Sequence, residues 1–165
     1  MLPLILNQAS VKVGLAGDGE GLARRHALLA EAGVTPVAVS DGEALPAVQV
    51  LFVAGLDRDT ATDLVRRARA AGILVNVEDV PELCDFHVPA IVRRGDLLLT
   101  ASTGGRVPGL ARRLREWLAE HFAPEWDDRL NDLSAAREGW RGQGLPPEQV
   151  SERTRAMVAE RRWLS

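Results

Sequence analysis

Residues 73–115, ILVNVEDVPELCDFHVPAIVRRGDLLLTASTGGRVPGLARRLR, decide the fold class. The stretch opens as a short apolar strand, 73–77, with Asn76, Glu78 and Asp79 clustered at its end. A second mostly apolar run, 97–101, stops at Ser102-Thr103-Gly104-Gly105, just ahead of a helix opened by Pro108. Polar groups thus gather where two strands end. Ligands of open α/β sheets bind in the crevice outside the carboxyl ends of the strands.

Upstream of this stretch the chain alternates strand and helix. Residues 11–16 form a short, mostly apolar run that ends in Gly17-Asp18-Gly19-Glu20-Gly21. Leu22, Leu28 and Leu29 then lie at helical spacing, and Gly33 supplies a C-terminal stop. Residues 34–39 read as a second strand, and 48–54, apolar except for Gln49, as a central third. Over 57–71 an amphipathic helix sets Leu64, Val65 and Ala68 against Arg66, Arg67 and Arg69, and Gly72 ends it. With 73–77 as fourth strand and 97–101 as fifth, the pattern predicts a Rossmann-like, doubly wound, mostly parallel α/β sheet.

Beyond residue 123 the character changes. Trp126, Trp140 and Trp163 lie there, residues 142–147 break the region into two helices, and Arg153, Arg155, Arg161 and Arg162 crowd the last. About forty residues are too few for a core of their own. This segment therefore packs on the sheet domain or on another subunit. The reading divides the chain into a dinucleotide-binding domain, 1–105, and a small helical region, 106–165, for dimerisation and the substrate pocket.

Net charge is −3, which argues against a nucleic-acid surface. No apolar run approaches the roughly 20 residues that cross a bilayer, so no membrane span is expected. The N-terminus lacks a basic region and a cleavage-site pattern, so it does not read as an export signal. The single cysteine, Cys84, can form neither an internal disulfide nor a thiolate zinc cluster, which fits a reducing cytoplasm.

Gly17-Asp18-Gly19 follows a strand and opens a helix, the context that a dinucleotide fingerprint requires. The glycines allow a tight turn and bring backbone N–H groups to a pyrophosphate at the helix N-terminus. The position that usually admits close helix–strand packing holds Leu22, with Gly21 one residue earlier. Asp41 stands where an acidic group binds ribose hydroxyls and repels a 2′-phosphate, which favours NAD over NADP. The candidate cofactor contacts are Gly17, Asp18, Gly19, Glu20, Gly21, Asp41, Gly42, Ala54 and Asn76. The plainer alternative is a tight βα turn with Ser40 or Asp41 capping a short helix.

Asp79 follows a buried strand and precedes Val80-Pro81, which turns the chain. A carboxylate in a partly buried crevice can accept or deliver protons. Its plainer role is to cap the turn around Glu82 and Leu83.

The order of residues here resembles a known family. The run N-V-x-D-x-P-x-x-C-x-F-x-x-P-A-I-V-R-R-G is carried by Asn76, Val77, Asp79, Pro81, Cys84, Phe86, Pro89 and residues 90–95. S-T-G-G-x-x-P-x-L-A-R-x-L-R follows, through Ser102, Thr103, Gly104, Gly105, Pro108, Leu110, Ala111, Arg112, Leu114 and Arg115. It is similar to the precorrin-2 dehydrogenase/sirohydrochlorin ferrochelatase family, whose module also forms the N-terminal part of siroheme synthases.

The resemblance implies NAD-dependent oxidation of precorrin-2 to sirohydrochlorin, with Fe²⁺ insertion to give siroheme in many members. It implies a catalytic role for Asp79 in both steps. It also implies a tetrapyrrole site beside Ser102, Thr103, Gly104, Gly105 and Arg112, with Ser102 phosphorylated in some members, and a homodimer joined through the C-terminal helices. Precorrin-2 carries carboxylates, and Arg93, Arg94, Arg106, Arg112 and Arg115 offer cations to them. His87 reads as a structural residue beside Phe86 and Val88, with iron binding as the alternative. The chain departs from the family at the short connection 40–47, at Ala54-Gly55-Leu56-Asp57 after the third strand, and at Asp18 within the glycine loop. These departures fall on the cofactor side. They keep open a chelatase-only protein, or a non-catalytic tetrapyrrole-binding one.

Overall fold

The computed structural model of the chain describes residues 2–164, which form two compact units that meet in sequence at Val88 and Pro89. The first holds a parallel sheet of β1 (Val13–Gly17), β2 (Val37–Ala38), β3 (Val50–Ala54) and β4 (Leu74–Val77), in the order β2-β1-β3-β4. Helix α1 (Gly19–Glu31) leads from β1 towards β2, and α2 (Arg58–Ala70) leads from β3 to β4. The chain leaves β1 in one direction across the sheet and β3 in the other. The topological switch point therefore lies between β1 and β3.

The strands form where apolar runs can be buried on both faces. All five residues of β3 are buried. One face packs Leu51, Val53 and Val75 against Leu64, Val65 and Ala68 of α2. The other packs Val13, Leu15, Val50 and Phe52 against Leu29 of α1. Each such aliphatic side chain contributes about 1.5–3 kcal/mol when it leaves water. Asp57 starts α2: its carboxylate accepts the Asp59 and Thr60 N–H groups, both at 3.0 Å, and the Thr60 hydroxyl at 2.7 Å. The expected helix 57–71 and the first, third and fourth strands thus match the observed elements to within two residues at either end. The second strand is shorter than expected, Val37–Ala38 within 34–39.

The fifth strand is a correction. Residues 97–101 do form a strand, β6 (Leu97–Ala101), but it pairs antiparallel with β5 (Ala90–Arg94) in a separate two-stranded sheet. The reason lies at the outer edge of β4. Asp85 donates its N–H to the Val75 carbonyl at 2.7 Å, and its carboxylate accepts the Val75 N–H at 2.9 Å. The Cys84 thiol accepts the Val77 N–H at 3.3 Å and donates toward the Val77 carbonyl at 3.2 Å. Backbone groups that would pair with a fifth strand are already occupied.

The second unit joins this hairpin to α3 (Pro108–His121), α4 (Trp126–Gly142) and α5 (Pro147–Glu160). The compact units divide between residues 88 and 89, because the hairpin packs with the helices. The Arg94 guanidinium donates to the Phe122 carbonyl at 2.6 Å and the Ala119 carbonyl at 3.1 Å, and so caps the end of α3. Val92, Ala101, Trp126 and Val150 are buried here. Phe122 and Trp163 lie 5.0 and 6.3 Å from the Trp126 ring. No described helix is long and apolar enough to cross a membrane.

Candidate functional site

Because the sheet is parallel, the carboxyl ends of β1, β3 and β4 share one edge, and the candidate residues of the first unit collect there. Gly17 pairs in register with Ala54, and Val53 with Val77. The Asp18 N–H donates to the Ala54 carbonyl at 3.2 Å, which ties the glycine loop to the end of β3. Beyond Ala54, Gly55 has a φ of 76°, and a Cβ there would strike the Asp18 carbonyl oxygen. A Cβ on Gly21 would lie 2.8 Å from the Gly55 nitrogen and 2.9 Å from Glu78 Oε2. Gly21 therefore performs the close packing that the fingerprint assigns to its last small residue.

Gly19 is different. Its φ is 54°, and a Cβ there would meet nothing within 4 Å. The first bond of the α1 ladder runs from the Leu22 N–H to the Asp18 carbonyl at 3.0 Å. The N–H groups of Gly19, Glu20 and Gly21 precede it at the positive end of the helix. An open glycine beside orphan donors fits the pyrophosphate of a dinucleotide.

Asp41 and Gly42 follow β2 in an exposed turn. The Asp41 carboxylate accepts the Gly42 N–H at 2.9 Å and lies 3.7 Å from Arg67 Nη1. Arg67 also donates to the Glu43 carbonyl. Asn76 is 6% exposed, with its amide nitrogen donating to the Phe86 carbonyl at 2.9 Å and its Oδ1 buried without a partner. It is thus a buried residue within β4, one position before the end of the strand.

Asp79 is exposed, not half-buried as the sequence reading expected. It sits in the turn from Val77 to Val80, closed by the Val80 N–H on the Val77 carbonyl at 3.4 Å, with a φ of 60°. A non-glycine residue in that region costs on the order of 1–3 kcal/mol unless its surroundings impose it, and Asp is among the tolerant types. His87 is exposed beside Phe86.

In the second unit, Ser102, Thr103, Gly104 and Gly105 link β6 to α3. The Ser102 hydroxyl accepts the Gly104 N–H at 3.2 Å. The Thr103 hydroxyl accepts the Val107 N–H at 3.3 Å and donates to the Val107 carbonyl at 3.1 Å. Gly104 and Gly105 have φ values of 65° and 76°. Arg112 is exposed on α3.

Two arginines at the first unit's site, Arg24 and Arg25, escaped the sequence reading, and Glu78 was noted there only as one of a polar cluster. Glu78 lies 3.2 Å from Arg24 Nη2 and 3.8 Å from Arg25 Nη2. The Arg25 side chain is only 12% exposed and its guanidinium lies 5.2 Å from the centre of the Phe52 ring. Burial lowers its pKa, with Glu78 the foremost opposing influence. The signal was available: Arg25 falls between Leu22 and Leu29 on the apolar face of α1, where a cation requires a partner.

Comparison with known proteins places this geometry. Residues 40–90 match a family model described as "Putative NAD(P)-binding". Siroheme synthase of Azotobacter vinelandii is 38% identical over 81% of this chain and 33% of its own length. That of Methylococcus capsulatus is 34% identical over 69% of this chain and 29% of its own. The chain is similar to part of each of these siroheme synthases. The siroheme synthase of Pseudomonas aeruginosa extends the match to 94% of the chain at 31% identity, covering 41% of that relative. The chain spans between 29% and 41% of the length of these siroheme synthases. Among solved structures, "SirC, precorrin-2 dehydrogenase" superposes with a TM-score of 0.75 over 100% of this chain and 93% of that one. At 19% identity the likeness establishes the Rossmann-like fold.

Proposed function

We propose that this chain oxidises precorrin-2 to sirohydrochlorin with NAD⁺, in the cytoplasm. The observation that carries the reading is the open glycine cradle at the start of α1 on the same sheet edge as the turn bearing Asp79. The siroheme synthase relatives and the NAD(P)-binding family model support it.

NAD⁺, when bound, supplies the hydride acceptor. The N–H groups of Gly19, Glu20 and Gly21 would hold its pyrophosphate, while Gly17 and Gly21 keep the loop pressed on Ala54 and Gly55. Asp18 and Ala54 hold the loop in register, and Asp41 and Gly42 would bind the ribose. Asn76 keeps β4 in register from within. Asp79, exposed on its turn, accepts the proton released as the hydride departs, so the two-electron oxidation balances as one hydride and one proton. In the second unit, Ser102, Thr103, Gly104, Gly105 and Arg112 take substrate carboxylates through donors and charge. Val107, Leu110, Leu114 and Trp117 are between 40% and 51% exposed along one side of α3, which supports self-association of a homodimer through this unit.

Calorimetric titration with NAD⁺, with NADP⁺ as control, followed by anaerobic turnover of precorrin-2, tests the reading. Selective NAD⁺ binding with sirohydrochlorin formation is expected. Binding of neither dinucleotide ends the dehydrogenase reading.

One observation favours the second reading, metal insertion alone. The Asp41 carboxylate already engages Gly42 and Arg67, which weakens its hold on a ribose. In that case Fe²⁺ is the substrate, Asp79 accepts pyrrole protons, and siroheme forms from supplied sirohydrochlorin without NAD⁺.

A further inference from the structure

We infer that Glu78 is a positioning residue for Asp79, a clamp that ties the Asp79 turn to helix α1 of the cofactor loop. The inference rests on the proposed reaction, and it concerns how this chain presents its base.

Asp79 and Arg162 are the only non-glycine residues with positive φ among the described residues. Such a conformation persists where the surroundings over-determine it. On one side the turn is held by Cys84, whose thiol lies 3.2 Å from the Val77 carbonyl and 3.4 Å from the Val80 carbonyl. On the other side the hold comes from Glu78. Its N–H donates to the Val53 carbonyl at 2.9 Å, which fixes the backbone one residue before Asp79.

The Glu78 carboxylate is 18% exposed and turns inward beneath the first turn of α1. Arg24 donates to its Oε2 at 3.2 Å, and Arg25 approaches its Oε1 at 3.8 Å. Gly21 makes room for it, since a Cβ there would stand 2.9 Å from that same Oε2. Arg25 in turn is sealed over Phe52, with its Nε buried and unpartnered. Its charge is answered chiefly by Glu78, and more weakly by Asp79. The clamp thus spans from the helix that starts in the glycine loop to the residue next to the base. Removing it frees the turn and leaves Arg25 without its main counter-charge.

The experiment compares wild type, Glu78→Ala and Glu78→Gln. Three quantities are measured: NAD⁺ affinity by calorimetry, kcat for precorrin-2 oxidation, and amide hydrogen exchange at Glu78 and Val80. Misplacing a reacting group costs rate more than binding, so Glu78→Ala should lower kcat roughly tenfold or more while the NAD⁺ Kd stays within about threefold. Exchange at Glu78 and Val80 should quicken, and that at Leu51 and Val53 should not. Glu78→Gln keeps an acceptor for Arg24 but not the counter-charge of Arg25, so it should recover part of the rate and protection that Glu78→Ala loses.

A Glu78→Ala kcat within about twofold of wild type overturns the inference, as does a Glu78→Gln variant equally impaired. Should wild type oxidise no precorrin-2, the functional reading fails, and exchange alone judges the clamp. Quickened exchange at Glu78 and Val80 upholds it, and unchanged exchange rejects it. Should Glu78→Ala not fold, Arg24→Met removes the exposed partner, and the same directions are expected.

Discussion

A side chain on Gly17 would collide with the carbonyl oxygen of Ala54, its register partner across the β1–β3 ladder, whereas one on Gly19 would meet open space. Two glycines of one loop therefore serve different ends. Gly17→Ala should lose the fold or cost several kcal/mol, because backbone must move. Gly19→Ala should cost only about 1 kcal/mol for its left-handed conformation, yet weaken NAD⁺ roughly tenfold by standing in the cradle. Urea unfolding paired with calorimetry separates the two. Equal NAD⁺ affinity for Gly19→Ala and wild type would refute the cradle.

Asp79 holds a conformation that glycine adopts freely. Asp79→Gly should keep the stability or raise it by up to about 1 kcal/mol, while turnover of precorrin-2 is largely lost. A urea midpoint well below wild type would show that the aspartate side chain supports the fold instead.

Arg94 links the β5–β6 hairpin to the end of α3 through carbonyls that the helix cannot satisfy itself. Arg94→Ala should destabilise the chain by about 2 kcal/mol, the scale of charged hydrogen bonds. Arg94→Lys should recover only part of this, since an ammonium cannot fork as a guanidinium does. Denaturant midpoints for the pair decide it.

Hydrogen bonds from the Thr60 hydroxyl and the Thr60 N–H hold the Asp57 carboxyl below its usual pKa. A depressed carboxylate pKa contributes stability that is present above the unfolded value and lost as pH falls through the folded one. The melting-temperature advantage of wild type over Asp57→Asn should therefore be full at neutral pH and shrink below about pH 4. A gap that does not change with pH would remove the charge from the explanation.

The strands and helices of the first unit were legible because burial imposes its own period: all of β3 is apolar, and Leu64, Val65 and Ala68 recur at helical spacing. What a run of Leu97 to Ala101 cannot reveal is its partner. That was settled by the Asp85 side chain on the Val75 backbone, a contact without any periodic signature. The hairpin did leave a local sign, since Gly95-Asp96 separates two strand-forming runs by two residues. Within the site, the glycine loop and Asp79 announced themselves by residue type and place. Glu78 did not, because its meaning depends on Arg24 and Arg25, which only the fold of α1 over β4 brings near.

The Cys84-Asp85 segment that closes the edge of β4 also governs how molecules meet one another. An open outer strand is a template on which a strand from another chain can dock, the first step of domain exchange and fibril growth. Here that template is stoppered by one thiol and one carboxylate. Alkylating or oxidising the lone cysteine would uncork half of it, so a reducing agent in storage protects the protein's solubility as well as its thiol.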